Sequence, residues 1–281
     1  MRLAFFGDIV GRSGREGLVD HLPALRRRLN LEFVIVNAEN AAAGYGITES
    51  TARELFDAGA DCLTLGNHSW DQKEALTYIV RESRLIRPLN YPPLSDVPGR
   101  GAQLFETERG RRVLVINLLG RVNMDALDDP FAAVDRELNA CPLGEVADAI
   151  VIDLHAEATS EKMAMGHFCD GRASLVIGTH THVPTADAQI LRHGTAYQTD
   201  AGACADYDSV IGNQKEEPLR RFVTRISGGR YKPAEGPATV CGVYLETDEA
   251  TGLALRMEPI RVGGRLAETI PDVAEPSPPA L

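Results

Sequence analysis

Short apolar runs alternate with amphipathic segments along the first third of the chain. The runs at 3–6, 33–36 and 62–65 have the length and apolar composition of buried strands. Between the first two runs, leucines recur at helical spacing, namely Leu18, Leu22, Leu25 and Leu29. Thr48 is placed to cap a second helix, Gly59 to end it, and Asp71 with Glu74 resembles the capping box of a third. This alternation predicts βαβ units and a parallel sheet.

The rest of the chain contains more strands than helices. Segments 103–107 and 112–117 flank a Glu-Arg-Gly turn and predict a hairpin, and 150–154 and 175–178 read as core strands separated by a helix. Two further pairs, 189–191 with 196–199 and 239–246 with 254–260, predict antiparallel strands and a second sheet. We expect a mixed α/β fold with one domain over 1–270. A tail at 271–281 with four prolines should be extended or disordered.

Composition narrows the function before any motif is considered. The chain has 281 residues, 29 basic and 40 acidic, so its formal charge is −11. The longest basic run is Arg26 to Arg28, which excludes a protein that binds the phosphate backbone of long RNA or DNA. Any phosphate chemistry must therefore recruit positive charge locally.

Cysteine usage and hydropathy indicate a compartment. The five cysteines form no C-x-x-C pair, which fits neither a disulfide framework nor a zinc knuckle. The first apolar run stops at Asp8, too short for a signal peptide, and no stretch approaches 18 apolar residues. We expect a cytoplasmic protein without membrane contact, and a homo-oligomer is compatible with the sequence.

Residue types that bind metals follow the predicted strands five times. In α/β proteins the carboxyl ends of strands border the ligand crevice, so these segments can converge although they lie far apart in sequence. A single Asp or His after a strand is more often a helix cap or a structural residue, but five coincidences reverse those odds. The residues are Asp8, Glu39, Asn40, Asn67, His68, His155, His180 and His182.

The mixture of types indicates the chemistry. Carboxylate, carboxamide and imidazole without thiolate suit Mn²⁺, Fe²⁺ or Zn²⁺, and there are more such residues than one open catalytic ion needs. Two ions about 3.5 to 4 Å apart, bridged by Glu39 and sharing a hydroxide, account for the number. His180 and His182 point the same way if extended, or diverge to different ions in a loop.

These motifs resemble a known family. G-N-H at 66–68 and G-T-H-T-H at 178–182 look like the calcineurin-like metallophosphoesterases. A larger set is similar to the bacterial YmdB-type 2′,3′-cyclic-nucleotide phosphodiesterases and covers about residues 1–262. The set comprises G-D-I-V-G-x-x-G-R at 7–15, A-E-N-A-A at 38–42, G-x-G-I-T at 44–48, D-L-H-A-E-A-T at 153–159, T-D-A-G at 199–202 and Y-D-S-V-I-G at 207–212.

The resemblance implies a fold, an activity and residue roles. The fold would be a mixed β-sandwich of two sheets flanked by helices, in four layers, and the activity hydrolysis of a small cyclic nucleotide with two iron or manganese ions. The first metal would be surrounded by Asp8, Glu39, Asn40 and His182, and the second by Glu39, Asn67, His155 and His180. His68 would protonate the leaving oxygen.

The chain departs from the wider superfamily at two positions. The D-x-H motif reads Asp8, Ile9, Val10, so Asn40 would replace the missing imidazole. The acidic residue expected after G-N-H is Ser69, which leaves His68 without that orienting carboxylate.

Substrate contacts and alternative functions remain open at this stage. Weak candidates for substrate contact are Arg12, Ser13 and Tyr207, whereas His21, His167 and His193 fit structural roles better. With the same metals, the protein could be a phosphomonoesterase or a nuclease. It could also be a regulatory protein that binds a nucleotide or another protein with little turnover, although such a module needs no proton donor.

Overall fold

The computed structural model describes residues 1–93 and 95–273. The helices in these ranges are α1 (Gly11–Arg28), α2 (Glu49–Asp57), α3 (Ala75–Arg81), α4 (Pro130–Ala140), α5 (Thr159–Phe168) and α6 (Glu216–Thr224). The strands are β1 (Arg2–Phe6), β2 (Phe33–Asn37), β3 (Cys62–Thr64), β4 (Ala102–Glu106), β5 (Arg112–Leu119), β6 (Ala149–His155), β7 (Leu175–Thr179), β8 (Gln189–Ile190), β9 (Ala196–Gln198), β10 (Ala205–Asp206), β11 (Ala238–Thr247) and β12 (Ala254–Val262).

The strands form two mixed sheets. The first has the order β10-β11-β1-β2-β3, with β12 paired to β11, and the second has the order β4-β5-β6-β7-β9-β8. β1, β2 and β3 are parallel to one another, as are β5, β6, β7 and β9. The βαβ units of the first third and the hairpin of β4 and β5 are therefore confirmed.

Alternating side chains of the strands produce four layers. In β1, Leu3 and Phe5 pack between the sheets with residues of β5, β6 and β7, whereas Ala4 and Phe6 pack against α1 on the outer face. On the far side, β5 and β6 pack their other faces against α4 and α5. The predicted fold, a two-sheet sandwich flanked by helices, is confirmed.

Part of the predicted strand arrangement is wrong. The strand pair at 189–191 and 196–199 does join the second sheet as β8 and β9, but β11 and β12 extend the first sheet. Nine of the ten residues of β11 are buried, so this strand suits a central position between β1 and β12 and not a separate sheet. The sequence analysis also did not anticipate α4, α6 or β10.

Two of the three predicted helix boundaries are confirmed. Thr48 and Thr51 form a reciprocal capping box at α2, and Gly59 follows the helix with φ +114°. The capping box at Asp71 and Glu74 is wrong, because Glu74 has helical dihedrals and makes no side-chain cap bond to α3. The Asp71 carboxylate turns instead toward His68.

Other expectations concern cysteines, membranes and the tail. All five cysteines are free and buried. Within the described ranges, no helix has both the length and the apolar character that crossing a bilayer requires. The proline-rich tail lies outside the described residues from 274 onward, so its expected conformation stays a prediction, as does the single domain over 1–270.

Candidate metal centre

The carboxyl ends of strands from both sheets meet at one point. Asp8 follows β1, Glu39 and Asn40 follow β2, and Asn67 follows β3. From the second sheet, His155 ends β6, and His180 and His182 follow β7. The predicted convergence of metal-ligand residues is therefore present in the structure.

Two groups of potential ligand atoms share one carboxylate. Glu39, His155 and His180 form one group, and Asp8, Glu39 and His182 form the other, with the ligand atoms of each group within 4.8 Å of one another. The two asparagines extend the groups. Asn67 Oδ1 lies 2.9 Å from His155 Nε2, and the Asn40 carboxamide nitrogen lies 3.2 Å from His182 Nε2.

Each imidazole has one nitrogen occupied by a partner outside the centre. His155 Nδ1 lies 2.9 Å from the Thr179 hydroxyl, His182 Nδ1 donates to the Ile211 carbonyl at 2.7 Å, and His180 Nε2 lies 3.2 Å from Glu157 Oε2. The other nitrogen of each ring therefore faces the shared space, where it could offer its lone pair to a bound metal. Partners that fix the tautomer in this way are typical of histidines that bind metals.

A buried carboxylate oxygen and the close packing around it also fit a bound metal ion. Among the described residues, the buried Asp8 Oδ1 has no hydrogen-bond partner, which is costly for a carboxylate unless a cation completes its environment. A Cβ at Gly66 would overlap both Glu39 Oε2 and the His155 ring, so glycine leaves room for these two groups to approach. The residues present thus fit a divalent cation that prefers oxygen and nitrogen ligands.

Buried charges shift the protonation equilibria of the centre. Burial alone would raise the pKa of Glu39, but the charge and hydrogen bond of His155 hold that pKa well below its ordinary value. Burial opposes protonation of His155, yet Glu39 and Asp8 raise its pKa to about 9. Burial and the neighbouring His155 lower the pKa of His180 to about 3. Glu39 and His155 therefore form an ion pair at neutral pH when no metal is bound.

The loop that carries His180 and His182 is bent and is held by hydrogen bonds to Asp200. Both residues have positive φ, 94° and 66°, which is unfavourable for side chains with a Cβ and persists only when the surroundings impose it. Thr181 between them donates its backbone N–H and its hydroxyl to Asp200 Oδ2 at 3.1 and 2.6 Å. Lys162 Nζ donates to the same oxygen at 2.8 Å. This geometry selects the diverging arrangement of the two histidines.

A buried polar network connects the two sheets beneath the centre. Asp153 in β6 accepts hydrogen bonds from Asn37 and Thr64 of the first sheet, at 2.9 and 2.5 Å, and from Thr179 of the second at 2.7 Å. Because Thr179 donates its proton to Asp153, its oxygen is free to accept from His155 Nδ1. Burial raises the pKa of Asp153 to about 6. The network holds the His155 ring and both sheets in one arrangement.

His68 lies at the edge of the centre and not among its ligand groups. Its backbone N–H donates to Glu39 Oε2 at 3.1 Å, and its Nδ1 lies 3.0 Å from Asp71 Oδ2. Ser69 supplies no carboxylate at the position after G-N-H, as expected, but Asp71 provides one to His68 from further along the loop. With Nδ1 held by Asp71, Nε2 is the nitrogen available to a substrate.

The centre opens into a cavity of about 330 Å³. Its walls are formed by Val10, Glu39, Asn40, Gly44, Tyr45, His68, Glu157, His180, Thr181, His182, Ile211, Asn213 and Tyr231. The three weak candidates for substrate contact are not among these residues. The Ser13 hydroxyl donates to the Gly236 carbonyl, and the hydroxyl of the half-buried Tyr207 donates to the carbonyl of His182 or Ala203. Arg12 is exposed on α1.

Comparison with known proteins identifies the family of this chain. A family model described as YmdB-like protein matches residues 4–260. The chain belongs to the YmdB-like family. A 2′,3′-cyclic-nucleotide 2′-phosphodiesterase of Bacillus subtilis is 44% identical over 262 residues, which cover 93% of this chain and 97% of that relative. A putative phosphatase/phosphodiesterase of Mycoplasma genitalium is 35% identical over 271 residues, 93% of each chain.

Solved structures agree with the family. A hypothetical protein from Thermus thermophilus superposes with a TM-score of 0.86 at 42% identity, covering 94% of this chain and 100% of the other. A phosphatase from Mycoplasma pneumoniae gives the same TM-score, 0.86, at 33% identity, covering 94% and 93%. The resemblance to metallophosphoesterases is thus confirmed for nearly the whole length of the chain.

Several residues of this YmdB-like site were missed by the sequence analysis. Asp71 and Glu157 contact His68 and His180, Asp153 supports His155 through Thr179, and Asp200 anchors the loop that carries His180 and His182. A signal existed for Asp153, which interrupts the apolar run of β6. Asp71 carried no such signal, because its distance from His68 depends on the turn between them.

Proposed function

We propose that this YmdB-like chain is a two-metal phosphodiesterase that hydrolyses 2′,3′-cyclic nucleotides. The observation that carries the proposal is the pair of ligand groups that share Glu39 at the floor of a cavity, with His68 on the same cavity wall. The name of the Bacillus subtilis relative supports this substrate class.

Charge explains why an acidic protein would bind a phosphodiester at this point. Asp8 and Glu39 contribute two negative charges, about half of what two divalent cations carry, so the loaded centre keeps a positive charge. When bound, the ions would polarise a phosphoryl oxygen and provide a hydroxide at neutral pH. Carboxylate, carboxamide and imidazole ligands favour iron or manganese over calcium.

His68 supplies the proton that the departing ribose oxygen needs. Asp71 accepts from Nδ1, which directs a protonated Nε2 into the cavity. A ribose oxygen is a poor leaving group, so transfer of this proton accelerates cleavage, typically by about 10² to 10⁴. The rings of Tyr45 and His68 pack nearly perpendicular to each other, with 5.1 Å between their centroids, which limits rotation of the imidazole.

The substrate should be small, and the location cytoplasmic. The cavity has the size of a small-molecule site, and the net charge of −11 disfavours binding of extended nucleic acid. Five free, buried cysteines are compatible with a reducing compartment.

The decisive experiment combines metal analysis with paired substrates. Protein purified without added metal should contain about two transition-metal ions per chain and hydrolyse 2′,3′-cyclic AMP to a single nucleoside monophosphate. A chelator should abolish this activity, and Mn²⁺ or Fe²⁺ should restore it better than Ca²⁺.

Three outcomes would contradict the proposal. Faster hydrolysis of phosphomonoesters than of the cyclic diester would make the protein a phosphatase. Cleavage of oligonucleotides in preference to the mononucleotide would make it a nuclease. Tight binding of 2′,3′-cyclic AMP by metal-loaded protein without any turnover would favour a regulatory role.

A further inference from the structure

The cavity has two chemically different sides. One side carries the ligand groups and His68. Another part of the lining carries Tyr45, Tyr231 and Asn213 together with Val10 and Ile211. Apart from the contact of Tyr45 with His68, the proposed hydrolysis does not use this second side, which we call the aromatic wall and define as Tyr45, Asn213 and Tyr231.

Tyr45 is held in place by a turn that requires glycine. Gly44 and Gly46 on either side of it have φ of +87° and +71°, and the Gln72 amide donates to the Tyr45 carbonyl at 2.8 Å. A Cβ at Gly44 would lie 2.8 Å from Pro233 Cγ, so the turn packs closely against the segment that follows Tyr231. The two tyrosines therefore come from segments in direct contact.

Two guanidinium groups accompany the tyrosines. Arg221 lies over the Tyr231 ring at 4.1 Å and is itself held by Glu217 at 2.7 Å. Arg230 lies 5.9 Å from the centre of the Tyr45 ring. These contacts place positive charge beside the wall in a chain whose net charge is −11.

Asn213 adds hydrogen-bonding capacity to the wall. Its backbone is fixed by reciprocal bonds with Val210, at 2.9 and 3.0 Å. Within the described residues, its carboxamide has no hydrogen-bond partner. A carboxamide both donates and accepts, so it can pair with the polar edge of a flat heterocycle in either sense.

We propose that the aromatic wall is the nucleobase subsite of this cavity. The inference rests on the proposed function, since it names the part of a nucleoside 2′,3′-cyclic phosphate that the wall receives. Such a molecule carries an anionic phosphate at one end and an aromatic base at the other, which matches the two sides of the cavity. Stacking on aromatic rings tolerates every base, so the wall favours nucleotides over baseless phosphodiesters without selecting one base.

His68 connects the aromatic wall to the ligand groups. The Tyr45 ring lies next to the His68 ring, 5.1 Å between centroids, and the His68 backbone contacts Glu39 at 3.1 Å. The wall therefore adjoins the ligand groups, so the base and the phosphate of one nucleotide can occupy the two regions together.

The test compares two substrates that share the scissile bond. Tyr231→Ala is assayed on 2′,3′-cyclic AMP and on methyl ribofuranoside 2,3-cyclic phosphate, which lacks the base. We expect KM for the nucleotide to rise about 10- to 100-fold with kcat nearly unchanged, and KM for the baseless substrate to stay constant. Tyr231→Phe should retain wild-type KM, because the ring and not the hydroxyl provides the stacking.

The matched control is Phe222→Ala on α6. Phe222 is an aromatic residue of the same segment, is 72% exposed and does not line the cavity. Its removal should change neither KM. Metal content is measured for all variants and should equal that of the wild type.

Failure of the subsite and failure of the proposed function give different results. Equal changes on both substrates, or no change on either, would overturn the subsite while hydrolysis by the wild type continues. If the metal-loaded wild type hydrolyses no cyclic nucleotide, the proposed function fails. The subsite is then tested by calorimetric binding of AMP, which Tyr231→Ala must weaken by a similar factor; unchanged binding would overturn it.

Discussion

At the scale of single residues, Glu39 differs from Asp8, the other acid in the ligand groups, in the number of groups that it joins. It belongs to both ligand groups, whereas Asp8 belongs to only one. Its two oxygens point in different directions, Oε1 to His155 at 3.0 Å and Oε2 to the His68 backbone at 3.1 Å. In the proposed two-metal centre, a carboxylate in this position would neutralise two cations at once, so its loss should affect both.

We therefore predict that Glu39→Gln binds neither ion, whereas His155→Ala loses mainly one. A bridge serves two cations, but an imidazole that belongs to one group serves one. Metal stoichiometry of each purified variant gives the answer. Glu157→Gln is the control: Glu157 contacts His180, which belongs to one ligand group, so this change should weaken the binding of a single ion. Two tightly held ions in Glu39→Gln would transfer the bridge to another residue, with Asp8 the first to examine.

Asp71 gives a second prediction at this scale. Asp71→Asn should lower kcat on 2′,3′-cyclic AMP about 10-fold, and His68→Ala by about 10² to 10⁴, with both metals retained. The losses should be much smaller on bis-p-nitrophenyl phosphate, whose leaving group hardly needs a proton. Glu74→Gln, a nearby acid that bonds the Glu49 backbone, should have no effect. Equal losses on the two substrates would show that Asp71 and His68 do not act in proton transfer.

The sequence predicted the ligand residues better than the residues that support them. Glu39, His155 and His182 follow strands, and strand ends can be located from apolar runs. Asp71 and Glu157 lie in loops, where the contact to a histidine depends on turn geometry that the residue types do not specify. The same limitation misdirected the substrate candidates Ser13 and Tyr207, whose hydroxyls are used by the backbone.

At the scale of elements, the loop after β7 connects the metal centre to a buried ion pair. Lys162 is on α5 and Asp200 follows β9, and their side chains are only 1% and 0% exposed. Asp200 also accepts from Thr181 and from the Gly202 backbone, so four donors converge on one carboxylate. Helix and strand thus fix the bent backbone of the two histidines together.

We predict that Lys162→Met and Asp200→Asn each weaken metal binding about 10- to 100-fold, in addition to lowering stability. The reason is that Thr181 loses its anchor and the loop relaxes toward ordinary dihedrals. Affinity is measured by competition with a chelator, well below the unfolding temperature. Arg112→Met breaks a half-exposed ion pair with Asp148 far from the centre and should leave metal affinity unchanged. If these variants are less stable but bind metal with wild-type affinity, the ion pair of Lys162 and Asp200 stabilises the fold and does not position the metal ligands.

Some elements were predictable from sequence and others were not. The first three strands are confirmed because each is a short apolar run bounded by turn residues. The helix α6 is different, because its apolar residues Leu219, Phe222 and Val223 are 53%, 72% and 81% exposed. Their spacing in the sequence therefore does not mark a buried helix face. The sheet to which β11 belongs could not be read from the sequence, because pairing between strands over 200 residues apart leaves no local pattern.

At the scale of the whole molecule, the core does not depend on the metal centre. Three large clusters of buried apolar side chains fill the space between the sheets and beneath the helices on either side. We predict that chelation leaves the far-ultraviolet circular dichroism unchanged while the melting temperature falls, because only the native state binds the ions. Loss of the spectrum on chelation would make the metals structural.

The charged pair of Glu39 and His155 gives the metal-free protein a defined pH dependence. The pKa of His155 rises from 6.5 to about 9 on folding, so its stabilisation is complete below pH 6.5 and is lost as pH rises through about 9. The pKa of Glu39 is lowered from 4.5, so its contribution is lost only as the pH falls below that value. The free energy of urea unfolding of metal-free protein should therefore decrease from pH 7 to pH 9.5. His155→Gln should show a flatter profile, and an identical slope in this variant would contradict the assignment.

The pairing of β1 with β11 has a consequence for synthesis of the chain. β1 leaves the ribosome more than 200 residues before its partner strand at 238–247, and until that strand is made β1 has one unpaired, apolar edge. An open edge of this kind is a template for pairing with other chains. Nascent chains of this protein should therefore be most prone to aggregation just before β11 is translated. Ribosome stalling between β1 and β11 would release incomplete chains with an exposed strand edge.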